Sequence, residues 1–133
     1  MRVALFGGTG FVGSYLIDTL LDAGHNPSVL VRPGSEHKVR QVGRCRLTQG
    51  DIASERAIKT VLKDCDAIIY NIGILRENRR LGITFEELHY AAVERVANAA
   101  KECRPTYLTM RGRYKYERRI SAADTHKYDY ICL

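Results

Sequence analysis

Three glycines spaced by three, Gly7, Gly10 and Gly13 in the run GGTGFVG, are the residues of this 133-residue chain whose pattern most plainly suits chemistry. They follow a short apolar segment, RVALF, and precede a stretch with helical spacing. Glycine at the first position permits a tight turn out of a strand. Glycine at the second lets backbone approach a pyrophosphate, and glycine at the third lets the next helix pack close to the sheet. The N-terminus of that helix then offers unpaired N–H groups and a partial positive charge to phosphate oxygens. The same spacing also suits a bare packing turn, so the setting has to decide between the two.

The setting is an alternation of strands and helices. Arg2–Phe6 reads as a first strand, and Phe11, Val12, Tyr15, Leu16, Thr19, Leu20 and Ala23 recur at helical spacing up to Gly24. Pro27–Val31 reads as a second strand, followed by the turn Arg32-Pro33-Gly34 and a short polar helix over residues 35–42. Cys45–Thr48 is a third strand, and Ser54 is placed to cap a helix that runs to Leu62. Asp66–Asn71 is an apolar run of strand length, as a sheet buried on both faces requires. A loop spans residues 72–82. Thr84 with Glu87 forms a capping-box pattern opening the longest helix, which ends near Cys103 before a fifth strand at Thr106–Met110. This alternation predicts an α/β fold: a doubly wound, Rossmann-type parallel sheet of about five strands with helices on both faces.

Composition narrows the function. The net charge is +6, but residues 104–133 hold seven Lys/Arg against three Asp/Glu, and five of the eight tyrosines. The basic character therefore belongs to the C-terminal segment, which weighs against a nucleic-acid-binding surface for the protein as a whole. No apolar run is long enough to span a bilayer, and the N-terminal run is too short for a signal peptide. Four scattered cysteines form no C-x-x-C pair, and the histidines, including His25, His37 and His89, do not stand at metal spacing. A cytoplasmic protein without a metal site is expected, with His89 read as a surface or half-buried helix residue.

GGTGFVG, followed by LVRPGSEH, GDI and DAIIYNIGIL, resembles the N-terminal half of an atypical extended short-chain dehydrogenase/reductase. Within that NAD-dependent epimerase/dehydratase superfamily it is most similar to NmrA-like proteins and to the NAD(P)H-binding subunit of respiratory complex I. The likeness covers about residues 1–110. It implies that Gly7, Thr9, Gly10, Phe11 and Val12 surround a pyrophosphate, with Gly13 completing the turn. It sets Arg32 where the adenosine ribose is read, Asp51 and Ile52 beside the adenine, and Asn71, Ile72 and Gly73 beneath the nicotinamide ribose. An acid at the ribose position would accept from the 2′-hydroxyl of NAD, whereas a guanidinium pairs with the 2′-phosphate of NADP. Residues 28–35 contain no acid, so NADP is the expected cofactor and NAD the second choice. Asp51 equally suits closure of a turn, and Arg32 an exposed loop.

The resemblance breaks at the catalytic pair. Active members of the superfamily use Tyr-x-x-x-Lys after the fifth strand, the lysine lowering the tyrosine's pKa. Here the residue four beyond Tyr107 is Arg111, beyond Tyr114 is Arg118 and beyond Tyr116 is Ile120. Arginine does not replace a compact ammonium. Sequence character also changes at Met110, as a chain truncated or divergent from that point would show. Residues 1–110 are thus read as a nucleotide-binding domain and residues 111–133 as a basic, tyrosine-rich segment of unassigned structure. The expected function is a cofactor sensor or structural nucleotide-binding subunit. An oxidoreductase or epimerase, or a non-binding scaffold, are the alternatives. A bare fifth strand would leave an open sheet edge, through which the chain is expected to self-associate or meet a partner subunit.

Overall fold

The computed structural model describes residues 1–103, 105–110 and 129–132. Six strands form one sheet: β1 (Arg2–Phe6), β2 (Asn26–Val31), β3 (Arg46–Gln49), β4 (Ala67–Tyr70), β5 (Tyr107–Met110) and β6 (Asp129–Cys132). Their order is β3-β2-β1-β4-β5-β6, and every pairing is parallel. The sixth strand was not expected from sequence. It pairs with β5 from Tyr107↔Asp129 to Met110↔Cys132, so β5 is an inner strand and the open edge passes to β6.

Three helices cover the sheet: α1 (Phe11–Asp22), α2 (Glu55–Leu62) and α3 (Ala92–Cys103). Side chains alternate across β1, so Leu5 joins Val29, Val31, Ile17 and Leu21 in a core beneath α1. Ala4 and Phe6 face the other way, into a larger core with Ile58, Val61, Leu62, Val96 and Ala100 of α2 and α3. Helices therefore lie on both faces, as in a doubly wound fold. The one buried polar side chain among the described residues, Ser28, donates its hydroxyl to the Val61 carbonyl at 2.9 Å and so ties β2 to the end of α2.

Local signals explain most boundaries. Ser54 Oγ accepts the Ala57 N–H at the start of α2, and Gly24 takes φ +77° just after α1. Two expectations fail. Residues 35–42 form no regular helix, only 3-10 turns at Glu36–Lys38 and Val42–Arg44, because too few apolar residues hold that segment to the sheet. The buried face of α1 is Gly13, Ile17 and Leu21, whereas Phe11, Val12 and Tyr15 are exposed. Gly13 fixes this rotation: a Cβ there would lie 2.1 Å from the Gly7 carbonyl oxygen, so only a glycine can face the turn. Phe11 and Tyr15 stack edge to face outside, with the Arg40 guanidinium 5.0 Å from the Tyr15 ring.

Candidate nucleotide-binding site

The strand order reverses between β1 and β4, and in open α/β sheets the crevice beyond such a point receives the ligand. A cavity of about 760 Å³ lies there. Gly7, Thr9 and Gly10 line it from the turn after β1, and Arg32 lines it from the end of β2. Asp51 and Ile52 contribute from the segment after β3, and Asn71, Ile72 and Gly73 from the segment after β4. The structure thus gathers these sequence-selected residues around one space. Phe11, Val12 and Gly13 do not line it: Phe11 and Val12 turn their side chains to solvent, and Gly13 packs against the turn.

Each glycine of the turn has a different physical reason. Gly7 has φ +96°, and a Cβ on it would come 2.8 Å from the backbone of Asn71, so β1 and the loop after β4 touch through it. Gly10 has ordinary angles, φ −83° and ψ 171°, and a Cβ on it would meet only the Gly7 oxygen, at 3.5 Å. The protein itself leaves room for a side chain at Gly10. The helix that Gly10 opens has no side-chain cap and no acid in its first turn, so its leading N–H groups are left for an anion. An open glycine cradle before an uncapped helix N-terminus fits the pyrophosphate of a dinucleotide.

Towards the other walls, Arg32 is exposed and makes no ion pair or side-chain hydrogen bond among the described residues. The nearest acid along the chain, Glu36, accepts from the Gln49 amide. Asp51 closes a turn: its Oδ1 accepts the Ala53 N–H at 2.8 Å. Gly50 stands close to α2, where a Cβ would meet that of Ala57 at 2.4 Å.

Sequence reasoning missed the fourth wall, formed by Leu81, Gly82, Ile83, Thr84, Glu87 and Leu88. The segment after β4 folds back through an Asn78↔Ile83 bridge and a 3-10 turn at Arg79–Leu81. Glu77 braces it by accepting the Phe85 N–H at 2.9 Å; that bond and then Arg79 hold its carboxyl below the usual range. Thr84 does accept the Glu87 N–H, at 3.1 Å, but the reciprocal half of the capping box is not made. The Glu87 carboxylate instead receives the Arg95 guanidinium at 2.7 Å. Residues 87–91 form a π-helical turn ahead of α3, an insertion frequent at functional sites. From it the Leu88 carbonyl accepts the buried Tyr70 hydroxyl. Burial, then the Glu87 charge, raises the Tyr70 pKa and keeps that hydroxyl a donor.

Comparison with known proteins agrees with this arrangement. Residues 7–126 match the family described as NAD(P)H-binding. The chain is 28% identical over 99 residues to a ceramide reductase of Caulobacter vibrioides, covering 74% of this chain and 31% of that protein. It is 33% identical over 104 residues to the NADH dehydrogenase [ubiquinone] 1 alpha subcomplex subunit 9 of Arabidopsis thaliana, covering 74% of this chain and 25% of that one. Among solved structures, the Bordetella bronchiseptica enzyme WbmH in complex with NAD+ superposes with a TM-score of 0.69 at 16% identity, over 83% of this chain and 38% of that chain. The Thermus thermophilus UDP-glucose 4-epimerase in complex with NAD gives 0.67 at 17% identity, over 92% and 43%. These structures share the fold, and the chain spans about a quarter to a third of the length of the curated relatives named.

Proposed function

This chain belongs to the NAD(P)H-binding family, and on that premise we propose that it holds NADP(H) as a sensor or structural ligand without turnover of its own. The observation that carries the reading is Gly10: a glycine that packing does not require, at the mouth of an uncapped helix, inside the cavity. Arg32, with no competing carboxylate at residues 28–35 and Glu36 engaged by Gln49, is suited to a 2′-phosphate. Asp51 and Ile52 would flank the adenine, and Asn71, Ile72 and Gly73 would pass beneath the nicotinamide ribose. Bound dinucleotide supplies hydride chemistry, but the sequence offers no Tyr-x-x-x-Lys pair to manage the substrate proton. The residues expected to stand nearest that role, Tyr114 and Tyr116, lie outside the described residues. Residues 1–110 act as the nucleotide-binding unit in this reading, and residues 111–133 as an appended segment. Free thiols at Cys45, Cys65 and Cys103 suit a reducing cytoplasm.

A second reading, an oxidoreductase or epimerase, is favoured by the reductase and epimerase among the similar proteins. A titration separates them. Wild type is expected to bind NADPH more tightly than NADH, followed by reduced-nicotinamide fluorescence. Gly10→Ala should fold normally, since its Cβ meets nothing closer than 3.5 Å, and weaken binding, and the bulkier Gly10→Val should abolish it. Arg32→Glu should move preference towards NADH. Reduction of a carbonyl substrate by the bound NADPH would establish the second reading, and absence of binding at millimolar cofactor would leave only a scaffold.

A further inference from the structure

We propose that His89 is a positioning residue that holds the loop after β4 in place for the nicotinamide half of the dinucleotide. This rests on the dinucleotide reading of the cavity. His89 Nε2 lies 3.2 Å from the Ile74 nitrogen and accepts its N–H. The acceptor must be a neutral ring nitrogen, so the ring proton sits on Nδ1. Phe85 packs edge to face on the imidazole at 5.5 Å and fixes its plane.

The π turn makes this contact possible. An added residue per turn rotates the preceding segment by roughly 100° relative to a continuous α-helix. Three successive residues thereby reach three different partners: Glu87 takes Arg95, Leu88 takes the Tyr70 hydroxyl, and His89 takes Ile74. Two of those bonds flank residues 71–73, Tyr70 closing the strand and Ile74 lying just past Gly73. Gly73 has no neighbour within 4 Å of a would-be Cβ, so the side on which a side chain would stand is open. The backbone that would meet the nicotinamide ribose is therefore held on one side at Asn71, by the Phe6 carbonyl and the Gly7 contact, and on the other from Ile74, through His89.

The test uses the full chain as wild type, His89→Leu and His89→Gln. Amide exchange at Ile74, read by NMR without ligand, should speed up about tenfold in His89→Leu and recover in His89→Gln, whose carbonyl oxygen restores an acceptor. NADPH affinity should fall roughly fivefold in His89→Leu. Affinity for adenosine 2′,5′-bisphosphate, which carries only the adenine end, should stay unchanged. Unaltered Ile74 exchange, or equal weakening of both ligands, overturns the proposal. Normal wild-type binding with an unaffected His89→Leu also overturns it, leaving the dinucleotide reading intact. Failure of wild type to bind either ligand instead overturns that reading, and the role of His89 with it.

Discussion

Gly10 and Gly13 stand three residues apart, yet substitution should separate them completely. Gly13→Ala drives a Cβ to 2.1 Å from the Gly7 oxygen and 2.7 Å from Gly8 Cα, both backbone atoms that cannot step aside. The helix must lift from the sheet, at a cost of about 3 kcal/mol or more, which urea denaturation would measure as a lower midpoint. Gly10→Ala meets only an ordinary contact and should leave that midpoint nearly unchanged while weakening NADPH. If both variants unfold alike, Gly10 is a packing residue and the cradle is an accident of the fold. Cysteine chemistry gives a contrasting case. Burial raises the thiol pKa values of Cys45, Cys65 and Cys103, Cys65 to about 11. The fraction of thiolate at neutral pH is accordingly small, and Cys65 in particular should resist alkylation in the native state.

At the scale of elements, the segment between Asn78 and Ile83 is closed by its own backbone bonds and braced at Phe85 by one carboxylate, Glu77. Because Glu77 is held below its ordinary value of 4.5, its contribution is complete above that value and is lost as pH falls through the lower folded value. Protection of the Phe85 amide, its exchange measured against the intrinsic rate at each pH, should therefore fall in acid in the wild type, and Glu77→Gln should remove that dependence. A capping prediction belongs here too: Ser54→Ala should cost about 1 kcal/mol, since Ser54 Oγ accepts the Ala57 N–H. Elements differed in how far sequence disclosed them. The first five strands were legible because continuous apolar runs such as DAIIYN have few other uses at that length, whereas β6 lies in a segment without such a run. The face of α1 was not: FVGSYLIDTLLD is apolar nearly all round, and the deciding term is a steric one at Gly13. The π turn leaves no mark in composition, and the partner of His89 is a backbone N–H, which every residue but proline possesses. The glycine turn was legible from its place between a strand and a helix, and Arg32 and the segments after β3 and β4 from the family resemblance; the topology then carries them to one end of the sheet. The Leu81–Ile83 part of the fourth wall was hidden in a segment with no periodicity, and Thr84, Glu87 and Leu88 were read only as the start of a helix.

For the whole molecule, β6 changes the expected surface. It occupies the side of β5 that would otherwise offer unpaired backbone groups. Deleting residues 129–133 should expose that edge and produce concentration-dependent self-association by gel filtration. A deletion variant that stays monomeric would show that β6 contributes little to shielding the edge. No described helix is long and apolar enough to cross a membrane. Three apolar side chains of the segment after β4 nevertheless stand exposed, Leu75 fully and Leu81 and Phe85 in part, and Leu81 lines the cavity.

The parallel order also sets a sequence of events in time. Val3 pairs with Pro27 on one side and with Ala67 on the other, so the second partner emerges from synthesis 40 residues after the first. Strands β1 to β3 can pair early, whereas the β1–β4 seam must wait for the longest loop closure in the N-terminal half, a non-local step of the kind that slows folding. The nucleotide crevice lies at the top of this seam. A dinucleotide spanning it would grip both early and late portions of the sheet, and its principal kinetic effect would be to delay their separation.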